Sequence, residues 1–401
     1  MKKIFTFGFL TNFVKKSSIF AKAVFSNLPQ PLHFGKLSAG AYQGRGLKSP
    51  LAKERFRGVG VAKSHNLSKN LAFIILLLLL FQTGHSQRIK FATVAPEGST
   101  YLKVLREYTN EVKTLTDGKV KFKIYPSQIQ GDEKDVLRKM RFGQIHSAGF
   151  TGVGLGEILP EVRIMELPML FRNYEEVDYI KSLLYDEFSK KFEEKGFIIL
   201  GWADVGFAYV YAQKPIRTLD DLRGTKMWMW EGDPVAEATF NALHVSAIPL
   251  SLTDVLTSLQ THLIEAVYVP PLPCVSLQWH TRIKTMMDVP LANVTGAILI
   301  TKKKFDKLLP EHQQILLDKG REYMRKLVQR GREDNEKAIQ LMQENGVQMV
   351  HVPDEGRAQF YQAAQAAYKA LTGKLYSQAL LDRVTNALAD FRAGQAKTEL
   401  K

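Results

Sequence analysis

The chain is poor in the groups that most often carry chemistry. It has one cysteine, Cys274, among 401 residues, which excludes an intrachain disulfide and any cysteine-built zinc centre. No Gly-x-Ser-x-Gly elbow, His-Glu-x-x-His helix or Walker A loop is present. Gly152-Val-Gly-Leu-Gly156 approaches a dinucleotide loop, but the third glycine of that fingerprint falls on Glu157. His146, His244, His262, His280, His312 and His351 show no ligand spacing. The expectation is a protein that is not an enzyme and uses no cofactor or metal. Acidic residues are nearly missing from the first seventy positions, where Glu54 stands alone against thirteen Lys and Arg. About +12 of the formal charge of +15 therefore sits in that segment and about +3 in the remainder, so no nucleic-acid surface is expected on the folded part.

Long apolar runs are also scarce. Leu71–Phe81 (LAFIILLLLLF) is unbroken, yet it falls short of the roughly 20 residues that a membrane span needs. With Lys69 before it and the small residues Gly84 and Ser86 after it, the run reads as a secretory signal peptide cleaved after Ser86. The competing reading is an uncleaved anchor. No cysteine stands at the cleavage site, so lipid attachment there is not expected. Residues 1–86 are expected to be a basic extension plus signal peptide, not folded.

What remains, about 315 residues, exceeds one typical core and suggests two lobes. Arg88–Val94 reads as a strand, and the loop Pro96–Thr100 as the cap of a helix over Tyr101–Leu115. Lys119–Tyr125 alternates lysine with Val120, Phe122 and Ile124, a half-buried strand. Asp132–Phe142 reads as helix and Ile145–Phe150 as strand. Further strands are expected at Phe197–Trp202, Ala208–Ala212, Ile283–Val289, Thr295–Thr301 and Val347–Val352. Pro310 suits the first turn of a helix running to about Glu344, whose apolar face of Ile315, Leu316, Tyr323, Leu327, Ile339 and Met342 is interrupted by Gly320 and Gly331. Terminal helices are expected at Glu355–Leu371 and Leu375–Phe391, with a patternless tail from Gly394. The alternation of strands and helices gives the class α/β.

The densest stretch runs from Lys214 to Pro271. Thr218–Gly224 has the form of a short capped helix ending at glycine. Lys226-Met-Trp-Met-Trp230 reads as a strand with Lys226, Trp228 and Trp230 on one face. Ser251-Leu-Thr-Asp254 has capping-box spacing and opens a helical run over Leu252–Leu263. Ile264–Val269 reads as a strand stopped by Pro270-Pro271. The ordered set KPI-x-T-x-x-DLRG-x-K, then SLTDVLTSLQ, together with Tyr125–Glu133 and Leu167-Pro-Met-Leu-Phe171, resembles the DctP-type solute-binding proteins of TRAP transporters from about Arg88 to about Phe391.

That resemblance implies a two-lobed, periplasmic-binding-protein-like fold with a ligand cleft between lobes and long C-terminal helices. It places a first lobe over 87–207, a second over 208–296, a return to the first with hinge-spanning helices over 297–393, and a tail over 394–401. It also implies a periplasmic receptor that captures a small organic ligand by hinge closure and delivers it to TRAP permease membrane subunits. The alternative is a periplasmic carrier of lipid-like molecules acting without a permease. In the family a carboxylate is held by two arginines and an asparagine, and the aligned positions here are Trp228, Ala208 and Val269. Trp202, Phe207, Trp230 and Tyr268 fall at strand ends that the family places at the cleft, and Phe150, Thr151 and Gly152 at the edge of the other lobe. Lys226 shares the Trp228 face. The implied branch lacks the carboxylate-binding arginine, so a largely apolar ligand, or a monocarboxylate with a long apolar body, is expected. The bland reading of a Trp-Met-Trp strand is core.

Overall fold

A computed structural model describes residues 87–399; the extension, signal peptide and cleavage site expected over 1–86 lie outside the described residues. The strands are β1 (Gln87–Ala92), β2 (Val120–Tyr125), β3 (Ser147–Thr151), β4 (Phe197–Ala212), β5 (Met227–Trp230), β6 (Ala247–Leu250), β7 (Ala266–Val269), β8 (Thr285–Thr301) and β9 (Gln348–Val350). The α-helices are α1 (Thr100–Leu115), α2 (Glu133–Arg141), α3 (Gly152–Gly156), α4 (Tyr174–Glu194), α5 (Leu219–Arg223), α6 (Pro234–Ala242), α7 (Val255–Gln260), α8 (Pro271–Ser276), α9 (Lys302–Phe305), α10 (Pro310–Glu344), α11 (Asp354–Leu371) and α12 (Gln378–Glu399). A 3-10 turn spans Pro160–Glu166.

Local chemistry explains many of the boundaries. Ser99 accepts from Leu102 N and starts α1; Asp132 accepts from Glu133 N and starts α2. Thr218 and Asp221 form a reciprocal capping box around α5. The helix expected over Leu252–Leu263 shortens to α7, because Ser251 Oγ spends its bond on the Asp254 carboxylate, at 2.7 Å, and caps no backbone N–H. Pro271 does more than stop β7: it occupies the first turn of α8, where its missing N–H costs nothing. The tail expected from Gly394 is helical through Glu399.

The strands form one sheet in the order β2-β1-β3-β8-β4-β7-β5-β6, with β9 on β8. Its two halves are joined by β4 and β8, which run antiparallel to each other along almost their whole length. Each was expected as two separate strands, and lobe boundaries at 207/208 and 296/297 fall inside them. Asp204 and Gly206 in β4, and Pro290 in β8, read locally as breaks. The pairing absorbs them as register shifts between Asp204 and Gly206 and around Tyr209. Gly206 takes φ +121°, and a Cβ there would lie 2.4 Å from Asn335 Nδ2.

This bend is held by buried charge. Asp204 accepts from Lys181 Nζ at 2.9 Å and from Arg332 Nη2 at 2.8 Å. Arg332 also grips Asp178 with two 2.7 Å bonds and stacks over the Tyr174 ring at 4.1 Å. Asn335, three residues on in α10, donates to Val205 O at 2.9 Å and accepts from Leu272 N at 2.8 Å. Along α10, Leu316, Tyr323 and Leu327 pack into the core with β1 and α1, whereas Met342 packs into the core containing Trp228 and Trp279. The helix thus braces both halves of the sheet. It was legible from its apolar face; α4, which supplies Asp178 and Lys181, was not anticipated.

Replacing Asp204 with alanine should cost about 3 kcal/mol, because it removes the buried carboxylate that Lys181 and Arg332 share and leaves only the half-exposed Asp178 to answer both. Gly206→Ala should cost about 1–3 kcal/mol through positive φ and the clash with Asn335. Urea unfolding followed by circular dichroism measures both, and losses below about 0.5 kcal/mol would show that the bend does not depend on these contacts.

Candidate functional site

Where β4 and β8 pass from one half of the sheet to the other, strand ends from both halves converge on a cavity of about 240 Å³. This is close to the lower end of the roughly 300–1,000 Å³ range of small-molecule pockets. Seven of the residues expected at the site line it: Ala208, Trp228, Val269, Trp230, Tyr268, Phe150 and Thr151. The three aligned positions therefore meet on one cavity, although they lie on β4, β5 and β7.

Trp228 is both core and wall. It is 1% exposed, its Nε1 donates to Leu250 O at 3.1 Å, and its ring stacks on Tyr268 at 5.1 Å and meets the edge of Trp279 at 5.2 Å. Trp230 donates through Nε1 to Asp132 Oδ2 at 2.9 Å, which ties β5 to the start of α2.

Four expected residues do not line the cavity. Lys226 is exposed just before β5 and donates to His262 O at 3.3 Å. Trp202 points toward α4, with its Nε1 on Ser189 Oγ at 2.9 Å and its ring 4.1 Å from Tyr185. Phe207 is buried against Tyr174, ring centroids 4.8 Å apart. Strict alternation would part these two β4 side chains, five residues apart; the bulge between Asp204 and Gly206 resets the period, so both pack into the core that α4 covers. Gly152 stands behind the wall, where a Cβ would lie 2.1 Å from Glu166 Oε2.

The charged part of the wall was not anticipated. Arg163, 3% exposed, donates through Nη2 to Asp233 Oδ1 at 2.7 Å, and its Nε stands 3.0 Å from Glu166 Oε2 without hydrogen-bond alignment. Asp233 also caps α6 through Val235 N at 2.9 Å. The Asp-Pro pair at 233–234 announces that cap; nothing local announces its guanidinium partner seventy residues earlier. Glu166 Oε1 accepts from Thr295 N at 2.8 Å. Burial pushes the Glu166 carboxyl up to about 7 against the pull of Arg163, and Asp233 adds to the rise. Glu133 accepts from Thr151 N, Thr151 Oγ1 and Gly154 N at 2.7–2.9 Å, yet burial still pushes it up to about 8. Among the described residues that line the cavity, Arg163 is the only cation, and it is already set between two carboxylates.

Cys274 is fully buried and burial pushes its thiol well up. Among the described residues no group of His, Cys, Asp and Glu could hold a metal ion, and no helix is long and apolar enough to cross a membrane.

Residues 91–374 match the family described as Bacterial extracellular solute-binding protein, family 7. The chain is 26% identical over 274 residues to the 2,3-diketo-L-gulonate-binding periplasmic protein YiaO of Escherichia coli, covering 65% of this chain and 81% of that protein. It is 26% identical over 190 residues to the C4-dicarboxylate-binding periplasmic protein DctP of Rhodobacter capsulatus, covering 46% and 55%. Against solute-binding proteins of Chromohalobacter salexigens and Verminephrobacter eiseniae the chain spans 49% and 64% of the relative's length. The fold is that of two-lobed TRAP periplasmic solute-binding proteins. The one from Ralstonia eutropha with bound (S)-2-acetolactate superposes with a TM-score of 0.71 at 20% identity, covering 76% of this chain and 99% of that one. The one from Citrobacter koseri with bound D-glucuronate gives 0.68 at 24%, also covering 76% and 99%. The family is one of solute receptors, not of enzymes. On the match over 91–374, the chain belongs to bacterial extracellular solute-binding protein family 7.

Proposed function

We propose that this protein is a periplasmic receptor of a TRAP-type transporter that captures a small organic ligand with a largely apolar body and delivers it to the membrane permease. The observation that carries the reading is the meeting of Ala208, Trp228 and Val269 on one cavity whose only lining cation, among the described residues, is already paired. The solved relatives hold D-glucuronate, (S)-2-acetolactate and pyroglutamic acid, all carboxylic acids. A carboxylate is held best by a guanidinium free to give two parallel hydrogen bonds. Arg163 is not free to do so, and tryptophan offers one donor and a broad apolar face. Apolar area removed from water contributes roughly 25 cal/mol per Å², so an aliphatic or aromatic body gains where a small dicarboxylate does not. A monocarboxylate with a long apolar body remains within this class. The cavity volume of about 240 Å³ suits a medium-chain molecule and is small for a two-chain lipid, which weighs against a permease-free lipid carrier.

Titration calorimetry should show decanoate or its neutral relatives binding more tightly than succinate or D-glucuronate. Trp228→Ala should weaken the aliphatic ligand about tenfold or more with the fold retained, and Trp228→Arg should move preference toward small carboxylates. Tight binding of succinate with no response to any aliphatic probe would reject the reading.

Capture by closure predicts a second outcome. The radius of gyration from small-angle scattering should fall when an aliphatic ligand saturates the protein. An unchanged radius would mark a rigid carrier.

A further inference from the structure

A second cavity, of about 10 Å³, borders the first. All ten residues that line it are apolar, Leu243, Val289 and Phe360 among them. A space near the size of one water molecule, with no polar partner to offer it, stays dry. Phe240 and Leu291 line both cavities, so the partition between the two is one side chain thick. Phe240 is 2% exposed and packs edge to face with the Tyr268 ring, centroids 5.5 Å apart. Leu291 is fixed through its carbonyl, which accepts from Met169 N at 2.7 Å. The partition stands away from the ion pair of the wall. Asp233, the partner of Arg163, caps α6, and Phe240 lies two turns, about 10 Å, along that helix from it. Thr239, just before Phe240, has its hydroxyl spent on Val235 O at 2.7 Å. An apolar body therefore meets least opposition when it points along α6 toward Phe240.

We infer that Phe240, with Leu291, is the end stop that sets the longest apolar body the receptor accepts, and so selects ligands by chain length. This rests on the apolar-ligand reading above and narrows it. Up to the stop, each added methylene is buried and should tighten binding about fourfold. At the stop, the next methylene meets the Phe240 ring. It then stays in water or displaces packed side chains, and the gain ends. Shortening either partition residue joins the two cavities and adds only apolar wall, so the gain should resume in the space behind.

The test is a fluorescence titration of the purified full-length chain at neutral pH with the straight-chain primary alcohols from hexanol to dodecanol, each below its solubility limit. Trp228 and Trp230, on the cavity wall, give the signal. In the wild type, affinity should rise about fourfold per carbon and then level off within the series. In Phe240→Ala and in Leu291→Ala the rise should continue for about two more carbons. Leu252→Ala makes the same deletion as Leu291→Ala at a residue that lines the larger cavity and not the second one. It should weaken every alcohol alike and leave the limit where it is. Leu291→Ala and Phe240→Leu serve if Phe240→Ala does not fold. A wild type with no limit in the series, a limit unmoved by the partition variants, or one moved equally by Leu252→Ala overturns the assignment and leaves the apolar-ligand reading standing. If no alcohol binds while succinate or D-glucuronate does, the apolar-ligand reading fails first and this one with it.

Discussion

A buried carboxylate at the bend of β4 is the constraint on which the rest of the architecture hangs. The Asp204 side chain is 1% exposed, and such a group is tolerated only with close opposite charge. Lys181 from α4 and Arg332 from α10 supply it, so the strand bend, the covering helix and the long brace are fixed relative to one another by one ion cluster. Asn335 extends the same arrangement to the first turn of α8. The cavity follows, because Ala203, Asp204 and Val205 from the bend, Gly331 from the brace and Leu272 from α8 all belong to its wall.

The charge distribution inside that wall is what supports the proposed preference for an apolar ligand body. Arg163 is deep, rigidly placed and already set between Asp233 and Glu166. Breaking such a buried pair to receive a ligand carboxylate leaves another carboxylate unanswered, so the exchange has little to gain. The raised carboxyls of Glu133 and Glu166 say the same in another way: the interior disfavours negative charge even where donors are near.

Much of the fold was legible where causes are local. Ser99, Asp132 and the Thr218–Asp221 box announced helix starts, and the lysine alternation of 119–125 announced β2. Continuity of β4 and β8 was not legible, because Gly206 and Pro290 read as breaks until a partner strand absorbs them. The site divides along the same line. Trp228, Ala208 and Val269 were reached through a family resemblance that encodes tertiary position. Arg163 and Asp233 were missed, since a pair 70 residues apart leaves no spacing to read. The choice between core and cleft for Trp228 dissolves: one indole face packs on Tyr268 while the residue still borders the cavity.

The turn after β5 has a kinetic meaning. Trp230 bonds Asp132, Gly232 O accepts from Lys134 Nζ at 3.2 Å, and Asp233 bonds Arg163. All three contacts reach from the β5 side of the cavity to segments that flank β3 on the other, and none passes through a ligand. In a receptor that opens as proposed, these three bonds would have to break for every ligand alike, and would set a floor to its dwell time on which the ligand's own contacts add.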